Sequence, residues 1–153
     1  MGCYMVAGAL PLQVPQRRTE FTMPVITEQR ATALEREATV RPLGELAGYL
    51  QEALGQRMAA HLAGLEHAKQ IGRYARGVAT PRNDLTVRRI REGYKIVRML
   101  VDAYDATTAK AWLFGTNTRL DDRAPVDVLG LGTVSEDFAA VVRAARQFSS
   151  ADE

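Results

Sequence analysis

Residues 56–77 read QRMAAHLAGLEHAKQIGRYARG, and two short helices joined by a glycine turn are the simplest account of that stretch. Ala60 sits midway along the first helix, about 56–63, where a second helix has to cross closely. Gly64 comes four residues later, where the turn needs a permissive backbone. Leu65, Ile71 and Tyr74 then supply the apolar contacts of a second helix, about 67–76, which Gly77 closes with Pro81 shortly beyond. This is the pattern of a helix-turn-helix unit. The exposed positions of its second helix include Lys69, Gln70, Arg73 and Arg76, the candidate DNA-binding residues. Gln pairs bidentately with adenine and Arg with guanine, while other Lys and Arg side chains meet phosphate and set affinity. A common helical hairpin with solvated arginines competes for the same letters.

The flanking sequence extends the helical reading. Pro42 precedes a helix over about 44–54, with Leu46, Tyr49, Leu50 and Leu54 at helical spacing and Gly55 at its end. Asn83 or Asp84 can cap a longer helix over about 84–105, where Ile90, Tyr94, Val97, Val101 and Tyr104 form one apolar stripe. Arg88, Arg91, Lys95 and Arg98 fall mostly outside that stripe. Thr107 or Thr108 can cap the next helix, which ends near Phe114. After the polar segment GTNTRLDDRA (115–124), Pro125 suits the first turn of a short helix. The last helix spans about 134–148, with Thr133 and Glu136 at capping-box spacing and Phe138, Val141, Val142, Ala145 and Phe148 on its apolar face. Upstream, residues 27–39 can form an exposed helix with few apolar positions to dock it. Residues 1–23 are expected to be poorly ordered, because prolines punctuate them without periodicity.

Charge divides the chain. Residues 56–98 carry ten Lys or Arg against three Asp or Glu, a net of +7, within a whole-chain charge of +2. Residues 99–153 carry a net of −4. The middle therefore suits nucleic acid and the C-terminal third suits a different partner. The single cysteine, Cys3, cannot build a disulfide framework, which points to a reducing cytoplasm. His61 and His67 have no Cys partners for a zinc site. No apolar run is long enough for a membrane span, so no membrane association is expected.

Residues 111–129 read AWLFGTNTRLDDRAPVDVL. The order of Trp, Leu, a polar stretch with Asn, Leu, an acidic turn, Arg and then Pro-x-Asp-x-Leu resembles the toxin-binding domain of the Xre/MbcA/ParS antitoxins. The last helix, EDFAAVVRAARQF, is similar to that family's final helix. LAGLEHAKQIGRYARGVATP looks like its helix-turn-helix half. The likeness covers about residues 45–148. Trp112, Leu113, Asn117, Leu120, Arg123, Pro125, Asp127 and Leu129 match the motif. Tyr74 departs from it where many relatives have Trp, as does Gly130 where Arg or another polar residue is frequent. The resemblance implies an antitoxin of a type II toxin–antitoxin pair. Its C-terminal part would cover the active-site entrance of a RES-domain toxin that destroys NAD, and the chain would repress its own operon, as a homodimer on two-fold operator DNA.

That implication fixes the expected organisation. The fold is all-α: a helix-turn-helix unit followed by a small helical toxin-binding domain, with a disordered or loosely packed N-terminus. The divisions are 1–43 as an extension, 44–105 as the DNA-binding unit with its long connecting helix, and 106–150 as the toxin-binding domain. The candidate partner-binding residues are Asn117, Arg119, Leu120, Arg123, Pro125, Asp127, Phe138 and Arg143. Blander roles compete: Trp112 suits the core, Asn117 and Asp127 suit caps, and Arg119 and Arg123 suit solvent. The runner-up is a stand-alone regulator whose C-terminal helices only dimerise.

Enzyme chemistry finds little footing. Gly130-x-Gly132 before a helix imitates a dinucleotide-binding turn, but Ser135 stands where the third Gly belongs, and too few residues follow to complete the fold. Cys3 has no histidine near it in sequence. Asp121 and Asp122 read as a solvated turn, not a general acid–base pair. No catalytic residue, metal or cofactor is expected.

Overall fold

A computed structural model describes residues 26–150. Among these the chain is all-helical: α1 (Glu28–Val40), α2 (Leu43–Leu54), α3 (Gln56–Leu62), α4 (Lys69–Ala75), α5 (Asp84–Ala103), α6 (Ala106–Phe114), a 3-10 turn (Thr118–Leu120), α7 (Pro125–Leu131) and α8 (Ser135–Ser150). The expected loose terminus at 1–23 lies outside the described residues.

Local chemistry sets most helix ends. Gly55, Gly64 and Gly77 all have positive φ, the region a side chain disfavours. After α3 the Leu65 N–H bonds the Ala60 carbonyl and the Gly64 N–H bonds that of His61. After α4 the Val78 and Gly77 N–H groups bond Arg73 and Tyr74 in the same way. Both ends are Schellman closures. Asn83 caps α5 by accepting from the Leu85 N–H at 2.8 Å, and Pro125 occupies the first turn of α7. Two expected caps move. Asp105, not Thr107 or Thr108, caps α6, its Oδ1 accepting from the Thr108 N–H at 2.6 Å. At α8 the Asp137 carboxylate reaches back to the N–H groups of Thr133 and Val134, taking the part expected of Glu136.

One apolar cluster runs from Leu34 of α1 to Ala145 of α8. The long helix α5 is its axis, with α1, α2, α6 and α8 packed around it, and α3 against α4 and α7. Ile90, Ile96, Val97 and Leu100 of α5 are fully buried, as are Leu46 and Leu50 of α2 and Leu113, Leu129 and Phe138 of the C-terminal helices. Such burial stabilises by about 1.5–3 kcal/mol per large side chain before entropy is counted. Gly130 of α7 lies so close to α3 that a Cβ there would sit 2.6 Å from the His61 carbonyl oxygen. That approach leaves no room for a side chain at this position.

The first helix differs most from expectation. It is bound, not exposed: Ala31, Leu34 and Ala38 are buried. Ion pairs with α5 add to that small apolar face. Arg30 donates to Asp102 at 2.5 and 2.8 Å. Lys95 sits 3.0 Å from Glu35, and the Tyr94 hydroxyl donates to Glu37 at 3.0 Å. The Arg91 guanidinium donates to the Ala38 carbonyl at the end of the helix, where unpaired carbonyls favour a cation.

Candidate functional site

The basic middle of the chain separates into two groups. Four of the five cations of α5 are engaged in hydrogen bonds or ion pairs, and the fifth, Arg88, is exposed and touches an aromatic ring. Arg88 lies 4.7 Å over the Phe138 ring. Arg89 is 8% exposed and donates to the carbonyls of Leu129 at 3.1 Å and Gly132 at 3.0 Å. Arg91 binds α1 carbonyls. Lys95 pairs with Glu35 and Glu92, and Arg98 with Asp102. The other five, Arg57, Lys69, Arg73, Arg76 and Arg82, are exposed. None of them enters an ion pair among the described residues. All five lie on α3, on α4 and its cap, or in the 76–83 connection.

Helical spacing at about 100° per residue places Lys69, Arg73 and Arg76 on one stripe of α4. Ile71 and Tyr74 occupy the opposite, buried side. Gln70 stands off the stripe, half-buried. The Arg76 guanidinium lies over Gly72 beside the Gln51 and Gln56 amides. Arg73 and Gln70 face a cleft of about 640 Å³ between α4 and the start of α5, which Arg82 also lines. The sequence singled out four of these side chains. It missed Arg57 and Arg82, which are cations by type but show their freedom only once the ion pairs of α5 are known.

The C-terminal candidates do not form one surface. Leu120 is 3% and Phe138 1% exposed, and Pro125 is buried. These three belong to the core, and a partner cannot touch them without unfolding the domain locally. The apolar faces of the 3-10 turn and of α8 both turn inward. Asn117 caps the turn by accepting from the Arg119 N–H at 2.9 Å, and its backbone bridges to Arg123. Arg123 donates to the Leu120 carbonyl at 3.2 Å. Arg119 is exposed with no ion pair among the described residues, while exposed Arg143 pairs with Glu136 at 2.6 Å. Asp121 and Asp122 are exposed and hold φ of 57° and 59°, which aspartate tolerates better than most residues.

Asp127 joins the two halves of the chain. Its Oδ1 lies 2.9 Å from His61 Nε2 on α3, and both side chains are about half exposed. Phe114 stacks obliquely on the same imidazole, ring centroids 6.4 Å apart. Leu131, one turn beyond Asp127, is 77% exposed and Val134 is 55% exposed. Trp112 is partly buried beside Phe148 and against the core.

No helix among the described residues is long and apolar enough to cross a membrane. No cluster of three or more His, Cys, Asp or Glu suited to a metal occurs among the described residues. No family model, curated protein or solved structure matches the chain.

Proposed function

We propose that this chain acts by binding and not by catalysis, with nucleic acid on α3 and α4 and a protein partner on the C-terminal helices. The observation that carries the first half is the segregation of charge. Each cation of α5 makes a contact within the fold, exposed Arg88 only with the Phe138 ring, while Arg57, Lys69, Arg73, Arg76 and Arg82 face solvent with no acidic partner among the described residues. Side chains left unpaired in this way gain most from a polyanion, because binding releases the counterions condensed on it. In this reading the five cations meet phosphate, and Gln70 at the margin is the candidate for a base edge.

The second half rests on the resemblance to the Xre/MbcA/ParS antitoxins. The partner proposed is a RES-domain toxin that degrades NAD, neutralised when the C-terminal helices cover its active-site entrance, in the cytoplasm. Arg119, Arg123, Asp127 and Arg143 are the accessible candidates for that contact. A stand-alone regulator is the second reading: Leu131 and Val134, exposed together at the α7–α8 turn, are the sort of apolar surface a second copy would cover.

Fluorescence anisotropy with labelled duplex DNA over a salt series tests the nucleic-acid half. Five phosphate contacts give a slope of log K against log salt of about −4.5. Lys69→Gln with Arg73→Gln is expected to flatten it by about two. An affinity unchanged by the double substitution at physiological salt would show that α4 does not meet DNA.

A further inference from the structure

We propose that the cleft between α4 and the start of α5 is a phosphate-binding site. Read as a seat for a DNA phosphate, the site rests on the nucleic-acid proposal above. Read as a phosphate site as such, it does not. Arg73 of α4 and Arg82 of the connection line the cleft from two sides, with Gln70, Thr80 and Asn83 between them. No acidic side chain among the described residues lines it. Asp84, the nearest acid in sequence, faces a different groove with Arg88 and Arg91. Both arginines therefore border the cleft with no acid between them, and the planar donors of a guanidinium suit phosphate oxygens.

Thr86 supplies an independent pointer. It is 7% exposed and lines the cleft. Its hydroxyl makes no hydrogen bond with any described residue, whereas Thr32 and Thr39 both donate to carbonyls of their own helix. The Thr86 hydroxyl is not one of the buried unpartnered polar atoms among the described residues, so it keeps access to solvent, and at the edge of the cleft it can donate to a phosphate oxygen. Thr86 also stands in the first turn of a twenty-residue helix, where the free N–H groups and the helix dipole favour negative charge. The occupant is a phosphate group, either a diester of the DNA backbone or a free phosphate or nucleoside monophosphate.

The test uses the full chain with Arg82→Gln and Thr86→Val. Neither residue belongs to the base-reading set; Thr86→Val keeps the shape of its side chain, and Arg82→Gln removes the charge of an exposed residue. Amide NMR titrated with inorganic phosphate reads the site directly, and anisotropy on duplex DNA reads it in the complex. Phosphate is expected to move the amides of 78–86 saturably in the wild type. Each variant is expected to weaken that response at least tenfold. For a backbone phosphate, Arg82→Gln also lowers the salt slope on DNA by about one. If phosphate binds while DNA affinity is unaffected by either variant, the source is a free phosphate and not the backbone. If the wild-type amides do not respond to phosphate and neither variant weakens DNA binding, the cleft is not a phosphate site. A wild type that binds no DNA yet responds to phosphate overturns the nucleic-acid reading and leaves the phosphate site standing.

Discussion

Replacing Arg89 by Met removes the one buried cation that ties α5 to the far end of α7. Arg89 donates from Nε to the Leu129 carbonyl and from Nη2 to that of Gly132, and its guanidinium lies against Gly64 in the α3–α4 turn. Hydrogen bonds from a charged donor are worth about 1.5–3 kcal/mol each, and the carbonyls left behind are buried. Two such bonds give about 3–6 kcal/mol gross. Burial pulls the pKa of Arg89 downward, so the guanidinium gives up solvation to sit there, and methionine avoids that penalty. The net loss expected is about 2–4 kcal/mol. Urea unfolding followed by the single tryptophan, Trp112, should show the midpoint falling by about 1–2 M with the slope unchanged. Arg89→Lys should recover less than half of the loss, because one ammonium cannot imitate a fork aimed at two carbonyls. A loss below about 1 kcal/mol, or full recovery by lysine, would refute the claim that this fork holds α7 in place.

Gly130→Ala puts a methyl group against the His61 carbonyl oxygen; overpacking of this kind costs about 1–3 kcal/mol, and chemical denaturation measures it. Asp102→Asn takes the charge from the partner of Arg30, so hydrogen exchange over residues 28–40 should accelerate while that of 46–54 stays as in the wild type. Burial, followed by the bond to Glu37, raises the pKa of Tyr94 above its ordinary 10.0. The fold therefore favours the neutral phenol: the stability linked to Tyr94 is intact below the unfolded-chain value and is lost as pH rises through the folded one. Burial raises Tyr49 as well, so tyrosinate absorbance should show two late-titrating tyrosines, of which Tyr94→Phe removes one. Asn83→Ala deletes the cap of α5 and should cost about 1 kcal/mol, read as a lower melting temperature.

Helix ends were legible because their chemistry is local. Gly55, Gly64, Gly77, Asn83 and Pro125 each act within one turn of their own position, so a reader of the letters finds them. The caps at Asp105 and Asp137 were misplaced by one to three residues, because several side chains in those turns can bond the same N–H groups. Docking of α1 was harder to see. Two of its three buried residues are alanines, which carry little hydrophobic signal, and its ion pairs join residues such as Glu35 and Lys95 that lie 60 positions apart. The same distance hid the division among the cations. Counting gave a basic middle, but only the placement of α1 and α7 beside α5 shows which charges are occupied. Leu120 and Pro125 carried a motif match, and Phe138 stood on the apolar face of a helix that only resembled a family element; such likeness records recurrence without saying whether it serves packing or contact. Gly130 is the converse: nothing in the letters announces its role, which is steric and comes from the closeness of α7 to α3.

Co-expression with a neighbouring RES-domain protein, one partner tagged, followed by an NAD-consumption assay on that protein alone and in complex, tests the central claim most directly. The account predicts a stable complex in which NAD persists, NAD loss when this chain is omitted, and weakened protection with Arg119→Glu and Arg123→Glu in folded protein. A RES-domain protein that consumes NAD equally with and without this chain, and does not co-purify with it, would contradict the account.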